Sequence, residues 1–487
     1  MSENRMAPVR RWLLPGALFL LGTGAWSAWK FTDPRLAALR YQTGSSIPRG
    51  YILGISTINF FEGLHQSLPV IALICLFLSL TALLISWKKP ALLGSAAVFC
   101  FSVLVYTASA APNLASQSGA PHYAWLADAF ANGRFVLEEE PPYPEENDWT
   151  YYNGQWMVSF PPAPALILTP IALFTGPNIN DVVLTLIFGG LNVALFYTLM
   201  PLVGKRMKNK FDTTPAARLG LTLTFGFGTV HWWLSCFGQV WFTAQIFATT
   251  FLLLALYEAL GPARPVWCGV WLALAALSRP PVLLALPVFL WLLCEESQPR
   301  QQLRSLLKIV APLAAAGLFM GWYNYARFGN PFELGYRYMV LEELLADIVE
   351  KTGSFSLSYL KTNLYHAFLN LPELQARWPF VVMDGWGLSI LLSTPLLLVL
   401  ARTPLRERFV QVVLISTLLV ALPSLLYYNT GYLQAGYRYS LDFLPLLFTA
   451  LAAAMRGRFR PASWALAAFS IIVGFLSLCN FYILVFE

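Results

Sequence analysis

Seven carboxylates crowd one stretch of this chain. Asp128, Glu138, Glu139, Glu140, Glu145, Glu146 and Asp148 lie between residues 112 and 160 with Arg134 as the sole Lys or Arg, a formal charge of −7 + 1 = −6. His122 stands at the head of the same stretch. A carboxylate or a neutral imidazole can take the proton from an attacking hydroxyl. Far downstream, Arg279, Arg327 and Arg438 sit in or at the ends of apolar runs. A guanidinium there can hold a phosphate bidentately, and left unpaired it costs several kcal/mol. Aromatic residues accompany both groups: Tyr123 and Trp156 in the acidic stretch, Tyr437 and Tyr439 on either side of Arg438. A proton acceptor, phosphate-holding cations and an aromatic platform are the parts needed to move a group from a phosphate to a hydroxyl. Asp128, Asp148 and His122 are the candidate bases; Arg438, Tyr439, Arg327, Arg279, Trp156 and Tyr123 are the candidate substrate contacts.

Each has a plainer reading. Asp128 can be the wet face of a helix, and Asp148 a turn or cap beside Trp149. His122 can be a hydrogen-bonded interfacial residue, and Glu138–Glu140 a solvated charge run. Arg438 can pair with Asp442 at i,i+4. Arg279, before Pro280 and Pro281, can extend its head toward an interface.

The elements that carry these residues are apolar. Of 487 residues, 57% are hydrophobic and only 12% charged, half the charge of an ordinary soluble domain, and the mean hydropathy is +0.58. Runs near 20 residues, enough to cross about 30 Å of hydrocarbon as helices, recur at about 12–29, 67–87, 91–111, 181–203, 216–236, 240–259, 305–325, 380–401, 409–428, 438–454 and 462–486. Shorter runs fall at 161–176, 266–278 and 281–294, where prolines suggest re-entrant, broken or tilted helices. The expectation is an all-α, polytopic chain of about twelve or thirteen spans. Basic connectors (Lys88-Lys89, Lys205–Lys210, Arg300–Lys308, Arg402–Arg408, Arg456–Arg460) mark the cytoplasmic side. Arg5, Arg10 and Arg11 place the N-terminus there too, as an uncleaved first helix. The acidic 112–160 loop and a second loop, 326–379, then face the exoplasm. Within the first, Tyr123–Phe135 has the spacing of an interfacial helix that Gly133 ends. The net charge of +7 is used up at helix ends, which argues against nucleic acid. The six cysteines read as small core residues. No phosphate-cradling, dinucleotide, nucleophile-elbow or histidine-pair metal motif occurs.

The remaining motifs have an order. PHYAWLADAFANGRF at 121–135 precedes YYNGQWMVSFPPAPALILTP at 151–170; LSRPP (277–281), YNYARFGNPFELGY (323–336) and GYRYSLDFLP (436–445) follow. Together they resemble the GT-C superfamily of membrane glycosyltransferases, in the bacterial branch near the protein O-mannosyltransferases and the lipid A aminoarabinose transferases. The likeness covers roughly 91–455. In that family a large first exoplasmic loop carries a helix, a GxW stretch and a PPL-like motif; Asn153-Gly154-Gln155-Trp156 and Pro161-Pro162 fall in that order here. Residues 1–90 look like two added transmembrane helices ahead of a GT-C-like domain at 91–487. The resemblance implies a bacterial cytoplasmic-membrane enzyme. It would transfer a sugar from a polyprenyl-phosphate donor to a lipid, glycan or protein hydroxyl, with a divalent metal ion as one means of stabilising the leaving phosphate. Two departures stand out. The family's acid before the HY-like pair is missing from Ser118-Gly119-Ala120-Pro121, and Phe160 replaces the basic residue before Pro-Pro. Two other readings therefore stand beside the enzyme: a non-catalytic relative that binds lipid-linked glycan or scaffolds a partner, and a transporter or flippase of such a lipid.

Overall fold

Apolar runs become helices whose ends are marked by prolines, capping side chains and basic residues. A computed structural model describes residues 13–29, 51–52, 55–89, 92–145, 148–208, 210–295, 298–376 and 380–486. The arginines before the first helix, residues 30–50, Pro90 and Glu146 lie outside the described residues. The N-terminal half holds α1 (Leu13–Trp29), α2 (Thr57–Lys88), α3 (Leu93–Ser109), α4 (His122–Ala131), α5 (Ala163–Thr175), α6 (Asp181–Arg206), α7 (Pro215–Phe227), the single turn α8 (His231–Leu234) and α9 (Val240–Leu260). Then follow α10 (Pro265–Ala276), α11 (Leu286–Cys294), α12 (Pro299–Phe328), α13 (Glu343–Thr352), α14 (Leu360–Phe368), the turn α15 (Ile390–Ser393), α16 (Arg408–Leu425), α17 (Leu444–Met455) and α18 (Pro461–Phe486). Proline opens α7, α10, α12 and α18, where its missing N–H is no loss. Asn180 caps α6 by accepting from the Val183 N–H at 3.0 Å, and Thr214 caps α7 by accepting from Ala217.

Among the described residues six helices, in α2, α6, α9, α12, α16 and α18, are long and apolar enough to cross a membrane, and six more apolar helices are shorter. The chain is an all-α polytopic membrane protein. Several apolar runs are not single helices. The 216–236 run breaks after Phe227, and 380–401 becomes α15 and a 3-10 segment, Pro395–Arg402. The 438–454 run opens with a 3-10 segment, Arg438–Asp442, before α17. The 67–87 run is the converse case: its helix starts ten residues earlier, at Thr57. At about 1.5 Å per residue, the 13-residue α5 falls short of the hydrocarbon thickness.

One apolar core runs through the bundle and includes Leu18 of α1 and Ile74 and Leu78 of α2, so the two N-terminal helices pack into the same body as the rest. Inside it, α3, α6, α7 and α8 meet at a polar knot. Tyr106 donates to the Gly226 carbonyl (2.8 Å), its oxygen lies 3.0 Å from Nδ1 of His231, and Asn192 Nδ2 lies 3.2 Å from Nε2. Since the Tyr106 proton is committed to Gly226, the histidine carries its own proton on Nδ1 and accepts from Asn192. At one end of the bundle, basic connectors meet: the Lys208 N–H donates to Glu407 (3.2 Å), and the Thr214 N–H donates to the Gly457 carbonyl (3.0 Å).

The 112–160 segment is a packed unit with its own small core, in which Tyr123, Leu126, Trp149 and Val158 meet α5 and the start of α9. The α4 helix is accordingly buried along most of its length, and it stops at Ala131, before Gly133. Asn153 and Gly154, both at positive φ (50° and 76°), make the tight turn that pairs Thr150–Tyr152 with Gln155–Met157. The second loop clasps the first: the Val340 N–H donates to the Trp149 carbonyl at 2.8 Å, and Thr150 bridges Met339.

Candidate functional site

A cavity of about 690 Å³ opens where five regions converge. They are the first loop at Asp148 and Phe160, the first turns of α9, the Ser278–Pro281 connector, the second loop at Phe332–Tyr336, and the 427–439 segment after α16. Four of the nine candidate bases and substrate contacts border it: Asp148, Arg279, Arg438 and Tyr439.

Arg438 is 4% exposed. Its backbone is fixed at both ends: its N–H donates to Oε1 of Gln434 (2.8 Å) and its carbonyl accepts from Nε2 of Gln245 (2.9 Å). Its guanidinium makes no ion pair among the described residues, and Nε has no hydrogen-bond partner. Aromatic faces surround it, with Tyr439, Phe242 and Trp241 ring centres at 5.3, 5.6 and 5.9 Å. Gly431, at φ +109°, lets the backbone pass close by; a Cβ there would stand 2.9 Å from Nε of Arg438.

The i,i+4 pairing of Arg438 with Asp442 does not form. Asp442 pairs with Arg279, at 2.8 Å from Nη2 and 3.3 Å from Nε. In a 3-10 segment residue i+4 is turned about 120° away from residue i, so Asp442 points to the 278–281 connector. The pair is mostly buried, 21% exposed at Arg279 and 1% at Asp442. Asp442→Ala should therefore lower stability by about 3 kcal/mol by stranding a cation in an apolar wall. In detergent unfolding, Arg279→Met/Asp442→Leu should recover most of that loss; equal loss in single and double variants would mean the charge pair is not the cause.

Asp148 adopts a left-handed backbone (φ +63°), which aspartate tolerates better than most residues. That turn sends Trp149 into the core while the Asp148 carboxylate borders the cavity. Its Oδ2 accepts from the Trp241 indole N–H at 2.9 Å. Burial raises its pKa; the Trp241 hydrogen bond and the Arg438 charge pull it down, and burial prevails. Trp241 thus touches both charged groups, one through its N–H and the other through its ring.

The other candidates lie elsewhere. Asp128 borders a separate cavity of about 270 Å³ with Trp125, Asn132 and Pro177, and accepts from Asn132 at 3.2 Å. His122 is fully buried, stacked 3.5 Å from Trp149. Tyr123 is buried in the first-loop core. Trp156 packs on Tyr151 (4.7 Å between ring centres). Arg327 donates to the Val158 carbonyl (2.7 Å) and to Asn324 (2.9 Å), bracing the first loop against α12. Glu138 pairs with Arg134. Trp241, Gln245, Tyr336, Tyr427 and Tyr428 border the cavity without having drawn notice, because in an aromatic, apolar sequence nothing separates them from core or belt residues. Among the described residues no group of three or more His, Cys, Asp or Glu side chains is placed to hold a metal ion.

Comparison with protein-family models, with curated proteins and with solved structures returns no match.

Proposed function

We propose that the chain is a GT-C-like glycosyltransferase. It moves a sugar from a polyprenyl-phosphate donor to a hydroxyl of a lipid, glycan or protein, on the exoplasmic face of a bacterial cytoplasmic membrane. The observation that carries the reading is Arg438, a buried guanidinium without a carboxylate partner, bordering the same largely apolar cavity as Asp148. A cation kept there against its desolvation cost is suited to an anion that arrives with the substrate. The apolar rim suits the lipid part: Leu283, Leu284, Phe332 and Phe355 border the cavity and remain exposed. In the reaction Asp148 accepts the acceptor's proton as its oxygen bonds to the anomeric carbon. The bond from that carbon to phosphate oxygen breaks, and Arg438 stabilises the charge that develops on the departing polyprenyl phosphate. Attack on the face opposite the phosphate inverts the anomeric centre. Arg279, neutralised by Asp442, shapes the wall beside Tyr439, 5.5 Å from its ring. Asp148 and Glu333 are the carboxylates that border the cavity; a divalent metal ion held by them would add positive charge at the leaving phosphate, and the transfer is complete without it.

The test is native mass spectrometry of the protein in nanodiscs supplied with a short polyprenyl phosphate. The wild type should retain one lipid phosphate, and Arg438→Gln should lose it; equal retention by both would sink the reading. A second reading, a binder that does not turn its ligand over, draws on the acid missing at 118–121 and on the bond that holds Asp148 to Trp241. It predicts retention without transfer.

A further inference from the structure

Away from the cavity, an aromatic loop is held open by its own backbone. Trp386 is 40% exposed, yet its backbone is fixed. Its N–H donates to Oδ1 of Asp384 (2.9 Å), its carbonyl accepts from Nε2 of Gln434 (2.8 Å), and the Gln434 N–H donates to the Gly385 carbonyl (2.9 Å). The flanking Gly385 and Gly387 both have positive φ, 81° and 103°. A Cβ on Gly385 would stand 2.8 Å from the Tyr432 ring, so that ring lies directly on the glycine. Tyr432 is 55% exposed, its ring centre 4.9 Å from Trp386 at a 49° tilt. On the other side the His366 ring lies 5.7 Å from Trp386 at 31°. Asp384 is exposed beside them, its oxygens 3.3 and 3.4 Å from Nδ2 of Asn370.

We propose that Trp386, Tyr432, His366 and Asp384 form a binding site for a hexose unit of a glycan. A pyranose presents a face of C–H groups that lies on an aromatic ring, and a rim of hydroxyls that donate to a carboxylate or bond to an imidazole. Rings preset in an exposed position lose little freedom when a ligand lands on them. A lipid surface suits the site less well, because Asp384 would have to enter it with the rings. One side chain links this platform to the cavity: Gln434 donates to the carbonyls of Trp386 and Thr430 and accepts from the Arg438 N–H. The platform's backbone is therefore tied to that of Arg438. As an acceptor site this rests on the transferase reading, and it selects a glycan from the three acceptor classes; the sugar binding itself stands without that reading.

The experiment uses the full chain in nanodiscs and saturation-transfer NMR with maltotriose, cellotriose and mannotriose as probes. At least one should bind the wild type. Tyr432→Ser and Trp386→Ala should bind it at least about tenfold more weakly, Trp386→Phe should retain most binding, and Asp128→Asn, beside the smaller cavity, should leave it unchanged. Loss of binding in the platform variants without any sugar transfer in the wild type would uphold the platform and remove the transferase. Transfer in the wild type, with no trisaccharide bound and an acceptor KM unmoved by Trp386→Ala, would overturn the platform alone. A nitroxide on Tyr432→Cys that is more accessible to oxygen than to a water-soluble nickel chelate would also overturn it, in favour of a lipid surface.

Discussion

Arg438→Met is expected to make the protein more stable and nearly inactive. Sugar transfer should fall about 10²–10³-fold, the usual cost of removing one charge-stabilising donor from a transition state. Resistance to thermal unfolding should rise by about 1–2 kcal/mol, because replacing a buried ion with an apolar side chain of similar length relieves its desolvation. The opposite signs follow from the surroundings: among the described residues no carboxylate lies within ion-pair distance of this guanidinium, Asp148 attracts it only from farther away, and its Nε is without a partner. A structural arginine, like Arg327 with its bonds to Val158 and Asn324, would lose stability and activity together. Thermal unfolding in detergent and a transfer assay on the same preparation separate the two cases. A destabilised Arg438→Met with proportionate loss of activity would mean that the guanidinium only holds the wall in place.

Asp148→Asn should reduce transfer by about 10²–10⁴-fold, the range for removing a general base, and should erase the acid limb of the pH–rate profile. The sign follows from the carboxylate's surroundings. A base works deprotonated, and burial holds the Asp148 pKa above its ordinary value. Activity should therefore disappear, as pH falls, at a point above the unperturbed aspartate value of about 4. The folded state disfavours the ionised carboxylate, so Asp148 also withdraws some stability as pH rises from its unfolded pKa through the raised folded one. Asp128→Asn is the control, since Asp128 borders the other cavity, and its activity should match the wild type. An Asp148→Asn protein that keeps both rate and acid limb would place the base elsewhere.

The apolar runs were legible because lipid leaves them little alternative to helix. Their breaks were less so: Gly228 and the Thr394-Pro395 step interrupt runs whose hydrophobicity carries on past them. In the site, Asp148, Arg279, Arg438 and Tyr439 could be picked out by charge in apolar or aromatic company, and they do border one cavity. Partnership was not legible. Arg279 and Asp442 are 163 positions apart, and the nearer pairing of Arg438 with Asp442 presumed an α-helical turn where the chain makes a 3-10 one. Asp128 and His122 share the acidic loop with Asp148, but the α4 helix that bears them packs into the loop's core, and neither borders the main cavity.

The clasp between Val340 and Trp149 has a consequence for biosynthesis. As the chain leaves the ribosome, the first loop is inserted with the Trp149 carbonyl still lacking the donor it has in the finished fold. That donor arrives about 190 residues later, and Arg438 later still. At about 5–20 residues per second, the nascent protein passes tens of seconds with Asp148 made but its cavity unbuilt. A chain truncated before residue 438 would carry Asp148 without Arg438, and under the proposed function it would transfer no sugar.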